Sequence, residues 1–365
     1  MMLDWTGAYR GCRVLLTGNT GFKGVWLTAM LNHLGARVAG ISRRPDSKLF
    51  SIMKQKEKTI YCDIRDPGSL VAAVHDYAPD IVFHLAGQAL VRKSYNEPLE
   101  TFEVNAQGTV NLLEAIRSVP NVKAAVAVTT DKVYAETTDR SPRIENDRLG
   151  GKDLYSASKA CAELVIQAYR DSFFENGPYV ASARAGNVIG GGDWADDRLI
   201  PDFVRSIEKD IAIELRNPHH VRPWQHVLEP VRGYLMLGQR LLNGEREFSD
   251  GWNFGPSLED ALSVSAVAEK MIELWGKGRV KYISESSPPH ENAYLKLDSS
   301  KANSKLSWNP VLGIDRTLSL TVEWYREYFK RDTLADDLVN QQIEAYLDLV
   351  EGFSNSGDSY TLQND

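Results

Sequence analysis

The stretch TGNTGFKG, residues 17–24, decides the fold. It joins an apolar run at 13–18, which predicts a buried strand, to residues 22–34, whose apolar spacing is typical of a helix that ends at Gly35. Glycines allow a tight turn and a close approach of the backbone to a pyrophosphate, and the N–H groups of the following helix favour an anion. The turn therefore indicates a dinucleotide site, with a glycine-rich turn that holds no ligand as the alternative. Its glycines are Gly18, Gly21 and Gly24.

The chain beyond this turn keeps alternating between strand-like and helix-like segments. Apolar strands that alternate with amphipathic helices predict a parallel sheet covered on both faces, which is a doubly wound α/β fold of the Rossmann type. The predicted strands are 37–42, 58–64, 80–87, 123–130 and 178–190, and the predicted helices between them are 68–78, 99–119 and 155–174.

The texture of the sequence changes after Gly190. Residues 191–203 are rich in turn-forming residues, and the helices expected beyond them fit a smaller C-terminal substrate-binding lobe. We expect a Rossmann-type domain at 1–190 with 230–260 returning to it, a substrate-binding lobe at 191–229 and 261–352, and a frayed polar tail at 353–365. Within the second half we predict helices in 221–242, 263–276, 316–330 and 336–352, and a strand at 252–256.

Composition and charge exclude several classes of function. The net charge of −7 argues against a nucleic-acid partner. The three cysteines are widely spaced, which fits neither a disulfide framework nor a zinc site and favours a reducing cytoplasm. The first residues carry no long apolar run, so we expect neither a leader nor a membrane span. His219, His220 and His226 lie close together without a matching set of acids, so we interpret them as loop residues and expect no metal.

The second predicted strand ends in Ser42-Arg43-Arg44, where a carboxylate that binds the adenosine ribose would be expected. Arg43 or Arg44 could instead meet the 2′-phosphate of NADP, or both could be solvated turn residues. The choice between NAD and NADP therefore stays open on this evidence.

YSASK, residues 155–159, places Tyr155 and Lys159 four residues apart within a predicted helix. The two side chains then share one face, and a nearby ammonium lowers the pKa of a phenol. A tyrosine of this kind can remove a proton from a sugar or alcohol hydroxyl. A surface tyrosine and lysine on an ordinary helix are the alternative.

Thr130, Asp131 and Lys132 stand at the end of the strand predicted at 123–130. An acid and a base at the carboxyl edge of a parallel sheet can serve a reaction that needs one proton donor and one proton acceptor. The alternative is a surface ion pair, and neighbouring side chains on a strand point to opposite faces, so the two need not pair at all.

Taken together, these segments resemble the extended short-chain dehydrogenase/reductase family, on its branch of sugar-nucleotide 4,6-dehydratases. The resemblance spans almost the whole chain, and residue 132 is a lysine where the thymidine-nucleotide members have a glutamate, which favours the cytidine branch. The segments that carry it are TGNTGFKG (17–24), HLAG (84–87), TTDKVY (129–134), YSASK (155–159), RAGNVIGGGDWADDRLIPD (184–202), RPWQHVLEPVRGYL (222–235) and AYLKLDSSKA (293–302).

The resemblance implies an enzyme that converts CDP-glucose to CDP-4-keto-6-deoxyglucose and water with NAD, which is regenerated in each turnover. Tyr155, assisted by Lys159, would take the proton of the 4-hydroxyl. Asp131 would act as the acid for the departing 6-hydroxyl, Lys132 as the base for the C5 proton, and Thr130 would hold the C4 oxygen. The usual setting of such enzymes is deoxysugar and cell-surface polysaccharide (O-antigen) synthesis in the cytoplasm.

The resemblance also implies two sets of binding residues and a second copy of the chain. Helices 99–119 and 155–174 would pair with those of a partner chain in a homodimer or a dimer of dimers. Trp194 and Trp224 would stack near the nucleotide or pack in the core. The cofactor set is Gly18, Asn19, Thr20, Gly21, Phe22, Gly24, Ser42, Arg43, Asp63, Ile64, Leu85, Ala86, Gly87, Asn105, Thr129, Tyr155 and Lys159, and the substrate set is Gln88, Arg92, Thr130, Arg184, Asn187 and Arg222.

Three alternative functions remain. A sugar-nucleotide 4-epimerase would share the tyrosine, the lysine and the glycine turn, but it releases no water and has no use for both Asp131 and Lys132. A thymidine- or uridine-linked dehydratase would differ only in the pocket for the base. A redox-sensing module that binds a dinucleotide without catalysis would need neither YSASK nor TTDK.

Overall fold

A parallel sheet of seven strands forms the centre of the computed structural model, which describes residues 5–54, 57–284, 290 and 292–356. The strand order is β11-β6-β5-β4-β1-β2-β3. The strands are β1 (Arg13–Thr17), β2 (Arg37–Ser42), β3 (Lys58–Tyr61), β4 (Ile81–His84), β5 (Ala124–Val128), β6 (Tyr179–Ala185), β7 (Val188–Ile189), β8 (Ile213–Leu215), β9 (Val221–Pro223), β10 (Gln225–His226), β11 (Gly251–Phe254), β12 (Ala261–Ser263) and β13 (Val280–Tyr282).

Helices cover both faces of this sheet, as the alternation of apolar strands and amphipathic helices predicted. The helices are α1 (Phe22–His33), α2 (Lys48–Ile52), α3 (Pro67–Tyr77), α4 (Val91–Asn96), α5 (Pro98–Phe102), α6 (Gly108–Ser118), α7 (Leu154–Phe173), α8 (Leu199–Glu208), α9 (Leu228–Leu242), α10 (Val264–Trp275), α11 (Ser300–Leu306), α12 (Ile314–Lys330) and α13 (Ala335–Ser356).

Two apolar cores lie on opposite faces of the sheet. Alternate residues of β1 divide between them, because Leu15 packs on the face of α3 and α6, whereas Val14 and Leu16 pack on the face of α1 and α9. Every residue of β4, β5 and β11 is buried. This confirms the prediction of a Rossmann-type doubly wound sheet.

Two predicted segments are each divided. The strand predicted at 178–190 consists of β6 in the main sheet and β7, which pairs with β10. The helix predicted at 99–119 consists of α5, a π-helical turn at Glu103–Gln107 and α6. Asn187 lies in the break between β6 and β7, and Asn105 lies in the π-helical turn.

The second half of the chain forms short paired strands, packed helices and one more strand of the main sheet. The chain returns to the sheet at β11, which pairs with β6 in parallel. His226, interpreted from sequence as a loop residue, is instead fully buried in β10. Helix α13 continues to Ser356, past the predicted start of the tail at 353, and residues 357–365 of that tail lie outside the described residues. The division into a Rossmann domain and a lobe stays a prediction.

Trp194 packs in an aromatic cluster, with ring centroids 5.7 Å from Trp324 and 5.5 Å from Tyr325. This position favours the packing alternative for Trp194 over stacking on a nucleotide. Among the described helices, none combines the length and the apolar character that crossing a membrane requires.

Candidate functional site

The glycine turn between β1 and α1 is shaped by close backbone contacts. Gly18 has a φ of +76°, and a Cβ there would lie 2.7 Å from the backbone nitrogen of Ala86. A Cβ on Gly24 would lie 2.1 Å from the carbonyl oxygen of Gly18. Gly21 is the N-cap residue of α1 and, as a glycine, has no side chain that could cap the first N–H groups. These N–H groups therefore stay available to an anion, which fits the phosphates of a dinucleotide.

Asn19 belongs to this turn, and only one of the two polar atoms of its side-chain amide forms a hydrogen bond with the described residues. Its Nδ2 donates to Oγ1 of Thr59 at 2.8 Å, whereas Oδ1 is buried without a hydrogen-bond partner among the described residues. Asn19 also lies over Gly40, where a Cβ would be 2.0 Å from the Asn19 side chain. An unsatisfied buried acceptor at this turn fits a site that a polar ligand completes.

At the end of β2, the positive charge of Arg43 is neutralised by nearby carboxylates. Arg43 forms an ion pair with Glu100 at 2.9 Å and lies 4.0 Å from the carboxylate of Asp63. Ser42 shares a hydrogen bond with Thr20 at 2.7 Å. Because carboxylates already neutralise Arg43, this corner suits ribose hydroxyls better than a further phosphate, which favours NAD over NADP.

Asp63 and Ile64, which belong to the predicted cofactor set, lie shortly after β3. Asp63 accepts a hydrogen bond from Nη2 of Arg65 at 2.8 Å, and this bond holds the pKa of Asp63 below its ordinary value. The carbonyl oxygen of Ile64 accepts from Nδ2 of Asn111 at 2.9 Å. Their backbone is thereby fixed at the carboxyl edge of the sheet.

Residues 85–87 follow β4 and lie next to Asn105. The π-helical turn directs Asn105 inward, where its Oδ1 accepts from the backbone N–H of Gln88 at 2.8 Å and its Nδ2 donates to Oγ of Ser158 at 2.9 Å. A Cβ on Gly87 would lie 3.0 Å from both Oδ1 of Asn105 and Nζ of Lys159. Most of the predicted cofactor residues thus lie at the carboxyl ends of β1 to β5, which is where doubly wound folds bind dinucleotides, and Asn105, Tyr155 and Lys159 belong to helical segments beside them. The residues present therefore fit NAD.

A cavity of about 310 Å³ opens next to this edge. Its size and mixed lining suit a small polar molecule. Several residues predicted for catalysis or binding line it together, which brings separate sequence segments into one site. These residues are Phe22, Arg92, Thr129, Thr130, Asp131, Lys132, Tyr155, Asn187 and Arg222, and Trp224 also lines the wall.

Asp131 and Lys132 both face this cavity because the strand ends earlier than predicted. β5 stops at Val128, and a 3₁₀ turn covers Asp131–Val133. The alternation of a strand, which would separate the two side chains, does not apply there. Oγ1 of Thr130 caps the turn by accepting from the backbone N–H of Lys132 at 3.3 Å.

The carboxyl group of Asp131 is buried and only half satisfied. Its Oδ1 accepts from Oγ1 of Thr130 at 3.0 Å, whereas its Oδ2 has no hydrogen-bond partner among the described residues. Gly186 leaves the space for that oxygen, since a Cβ there would lie 2.8 Å away. Burial raises the pKa of Asp131, although Lys132, Thr130 and Arg222 oppose the shift. A carboxyl group that tends to keep its proton suits a proton donor.

Tyr155 is buried at the cavity wall, one helical turn from Lys159. The lowered tyrosine pKa that the spacing of Tyr155 and Lys159 predicts is wrong. Burial raises the pKa of Tyr155 to about 12, although a hydrogen bond with Thr130 opposes the shift. Burial also lowers the pKa of Lys159 to about 8, and Glu163 opposes that shift. Nζ of Lys159 lies 3.4 Å from the carbonyl oxygen of Val128. The spacing of the two residues does not reveal the cost of removing both groups from water, and this cost decides the direction of both pKa shifts.

Arg184 lies behind the cavity and not in its wall. Its Nη2 donates to Oε2 of Glu163 at 2.7 Å, and its Nη1 donates to the hydroxyl of Tyr134 at 2.8 Å. The side chains of Arg184 and Glu163 are only 6% and 2% exposed. Burial by itself would raise the pKa of Glu163, but Arg184 outweighs it and holds the pKa below its ordinary value. This arrangement favours a structural role over the substrate contact predicted for Arg184.

Gln88 is likewise turned away from the cavity. Its Nε2 donates to the carbonyl oxygen of Leu90 at 3.0 Å and to Oγ1 of Thr101 at 3.1 Å. Its backbone N–H is the donor to Asn105. These hydrogen bonds show that Gln88 stabilises the conformation of the segment 85–91. They do not support the substrate contact predicted for its side chain.

Three cations of the cavity wall were not predicted from the sequence, namely Lys23, Arg198 and Arg216, the last of which pairs with Asp197 at 2.8 Å. Lys23 belongs to the first turn of α1, and Arg198 precedes α8, where it pairs with Asp193 at 3.0 Å. Lys23 was visible within TGNTGFKG, but a lysine in a helix is normally a solvated residue. Arg198 had no signal beyond its place in a turn-rich segment.

Comparisons with known proteins extend these observations. Residues 14–249 match the NAD dependent epimerase/dehydratase family. The chain is 46% identical to the CDP-glucose 4,6-dehydratase of Salmonella typhimurium over 336 residues, which cover 89% of this chain and 94% of that protein.

Solved structures with the same fold include two that contain NAD. The dTDP-glucose 4,6-dehydratase DesIV of Streptomyces venezuelae, with NAD and TYD bound, has a TM-score of 0.76 at 25% identity and covers 87% of this chain and 98% of its own. The UDP-glucose 4-epimerase of Thermus thermophilus in complex with NAD has a TM-score of 0.76 at 26% identity and covers 86% of this chain and 99% of its own. With its glycine turn, Tyr155–Lys159 pair and matching sequence, the chain belongs to the NAD-dependent epimerase/dehydratase family.

Proposed function

We propose that this protein is a CDP-glucose 4,6-dehydratase, a hydro-lyase that converts CDP-glucose to CDP-4-keto-6-deoxyglucose and water. The observation that carries the proposal is that Tyr155, Asp131 and Lys132 line one cavity, next to the residues that suit NAD. An epimerase needs the tyrosine but has no use for an acid and a base at the sugar C5–C6 bond. The identity of 46% to the Salmonella enzyme supports CDP as the nucleotide.

NAD, held by the glycine turn and the segment 85–87, would supply the hydride chemistry at C4 and C6 of the sugar. Within the chain, Tyr155 takes the proton of the 4-hydroxyl, and Thr130 orients the oxygen of that group beside the phenol. Lys159 sits one turn behind Tyr155 and supplies the positive charge that stabilises its phenolate. The raised pKa of Tyr155 makes this assistance necessary.

The resulting 4-keto group acidifies the C5 proton, and Lys132 removes it. Asp131 gives its proton to the 6-hydroxyl, so that the C6–O bond breaks and water leaves. The unsatisfied Oδ2 of Asp131 at the buried end of the cavity suits this donation. Arg222, Arg92 and Asn187 line the same cavity and are proposed to bind the diphosphate and the sugar.

The proposal is tested by mass spectrometry of the purified protein incubated with NAD and, in separate reactions, CDP-glucose, dTDP-glucose and UDP-glucose. We expect the loss of one water from CDP-glucose and little or no change in the other two. Loss of water from another sugar nucleotide would move the proposal to that nucleotide. An isomer of unchanged mass, detected by chromatography, would establish an epimerase instead, and no change in any reaction would leave only dinucleotide binding.

Lys132→Met should lower the rate of dehydration by about 10²-fold or more, because it removes the base for the C5 proton and keeps a side chain of similar length. Exchange of the C5 hydrogen with deuterium from solvent, followed by NMR of the product, measures this step directly. Lys152→Met, at an exposed lysine outside the cavity, is the control and should behave as the wild type. Dehydration and C5 exchange at the wild-type rate in Lys132→Met would show that another group is the base.

We also propose a homodimer formed through α5, α6 and α7. Large apolar side chains are exposed on α5 and α7, with Leu99 at 72% and Leu164 and Phe173 at 54% each. Exposed apolar side chains on adjacent helices favour association. Sedimentation velocity at micromolar concentration should show a dimer, and Leu164→Glu should shift it toward the monomer. A monomeric wild type at that concentration would contradict this proposal.

A cytoplasmic location and a role in deoxysugar synthesis for cell-surface polysaccharide complete the proposal. The three cysteines Cys12, Cys62 and Cys161 are unpaired thiols, which suits a reducing compartment. Cell fractionation should recover the dehydratase activity with cytoplasmic markers, and its recovery outside the cytoplasm would contradict this assignment.

A further inference from the structure

Lys23 occupies a position in the site that the proposed roles of the other residues do not explain. It is the second residue of α1, inside the glycine turn, and its side chain lines the cavity that also holds Asp131 and Tyr155. It is only partly accessible to solvent. Among the residues that the structure describes, none forms a hydrogen bond or an ion pair with its ammonium group. The side chain therefore faces the substrate space and has no internal partner.

The surroundings of Lys23 are costly for a cation. The first turn of a helix carries a partial positive charge. Burial, together with the charges of Arg198 and Lys159, lowers the pKa of Lys23 to about 7, although the charge of Asp131 opposes the shift. An apolar side chain at this position would avoid that cost. The cost is offset when a negative charge lies nearby, either one that arrives with the substrate or one that appears during the reaction.

Such a charge appears on Asp131 in the dehydration that we propose. When Asp131 gives its proton to the 6-hydroxyl, the C6–O bond breaks, water leaves, and the electrons of the C5–H bond form the C5–C6 double bond while Lys132 takes the proton. Asp131 is left as a buried carboxylate. Lys132 carries a positive charge only from this step until it returns the proton to C5, and Asp131 regains its own proton from solvent.

We propose that Lys23 stabilises the carboxylate formed on Asp131 and so acts specifically on the loss of water. This inference rests on the proposed dehydratase function. Lys23 acts on the charge of Asp131 and does not contact the reacting atoms of the sugar, so it is a positioning residue and not a catalytic one. A fixed cation that faces a developing charge in a site shielded from water lowers the barrier of that step alone.

The test separates oxidation at C4 from loss of water in a single turnover of CDP-glucose by the holoenzyme. Quenched samples are examined by mass spectrometry for two species, the 4-keto sugar that keeps its 6-hydroxyl and the product that has lost water. In Lys23→Met the 4-keto sugar should form at the wild-type rate, while loss of water should slow by about 10²-fold and the keto sugar should accumulate. Lys23→Arg keeps the positive charge and should restore loss of water to within about tenfold of the wild-type rate.

Controls make each outcome decisive. Lys209→Met removes an exposed lysine at the end of α8, outside the cavity, and should leave both steps unchanged. Thermal unfolding checks that the variants fold, and Lys23→Gln replaces Lys23→Met if the latter does not. Water loss at the wild-type rate in the neutral variants would overturn the inference, as would equal slowing of both steps or a failure of Lys23→Arg to rescue. A wild type that forms the keto sugar or nothing at all, without losing water, would instead overturn the proposed dehydratase function itself.

Discussion

Tyr155→Phe should lower the turnover of CDP-glucose by about 10²- to 10⁴-fold, the range typical of removing a general acid or base. The phenylalanine fills the same space in the cavity wall but cannot accept the proton of the 4-hydroxyl. Because oxidation at C4 precedes every later step, neither the keto sugar nor the dehydrated product should accumulate. Single-turnover mass spectrometry of both species measures this result.

A tyrosine on the same helix provides the matched control. Tyr169 lies on α7 outside the cavity, and its hydroxyl donates to Glu114 at 2.7 Å. Tyr169→Phe should therefore keep the wild-type turnover. A Tyr155→Phe variant that still forms the keto sugar within about tenfold of the wild-type rate would show that another group removes the proton.

Arg184→Met should lower the free energy of unfolding by about 3–5 kcal/mol, because it leaves the carboxylate of Glu163 buried without its ion-pair partner. Glu163 also accepts hydrogen bonds from Thr129 at 2.5 Å and from Ser182 at 2.7 Å, which hold it in place behind the cavity. Denaturant unfolding followed by circular dichroism measures the change.

An exposed ion pair calibrates this measurement. Lys330 and Glu327 lie 2.6 Å apart on α12 with both side chains about half exposed. Lys330→Met should change the free energy of unfolding by less than about 1 kcal/mol. If Arg184→Met costs no more than Lys330→Met does, the buried pair is not a structural element of the site. A normal stability combined with a raised KM would favour the substrate contact first predicted for Arg184.

Features that depend on neighbours in sequence could be predicted. The turn at 17–24 and the pair of Tyr155 and Lys159 are each contained within one strand–helix junction or one helical turn. Local spacing therefore determines which side chains come together, and the sheet follows from repeating the same strand–helix unit. The polarity of the parallel sheet then places the ends of its strands at one edge.

Features that depend on burial or on distant contacts could not be predicted. The sign of the shift in the pKa of Tyr155 depends on how much protein surrounds the phenol, which no spacing in the sequence reveals. Asp131 and Lys132 share the cavity because Gly186 and a 3₁₀ turn make room for them. Arg184 lies close in sequence to Asn187, yet the partner that withdraws it from the cavity, Glu163, lies on another element.

The place of β11 in the sheet has a consequence for synthesis of the protein on the ribosome. β6 is complete at Ala185, but the strand that covers its outer edge begins only at Gly251. At translation rates of about 5–20 residues per second, the roughly 65 residues between them keep that edge open for about 3–13 s. An uncovered strand edge offers its N–H and C=O groups to any other extended chain. The nascent protein thus passes through a period in which chaperones must shield it, and a chain that terminates near residue 190 would remain in that aggregation-prone state.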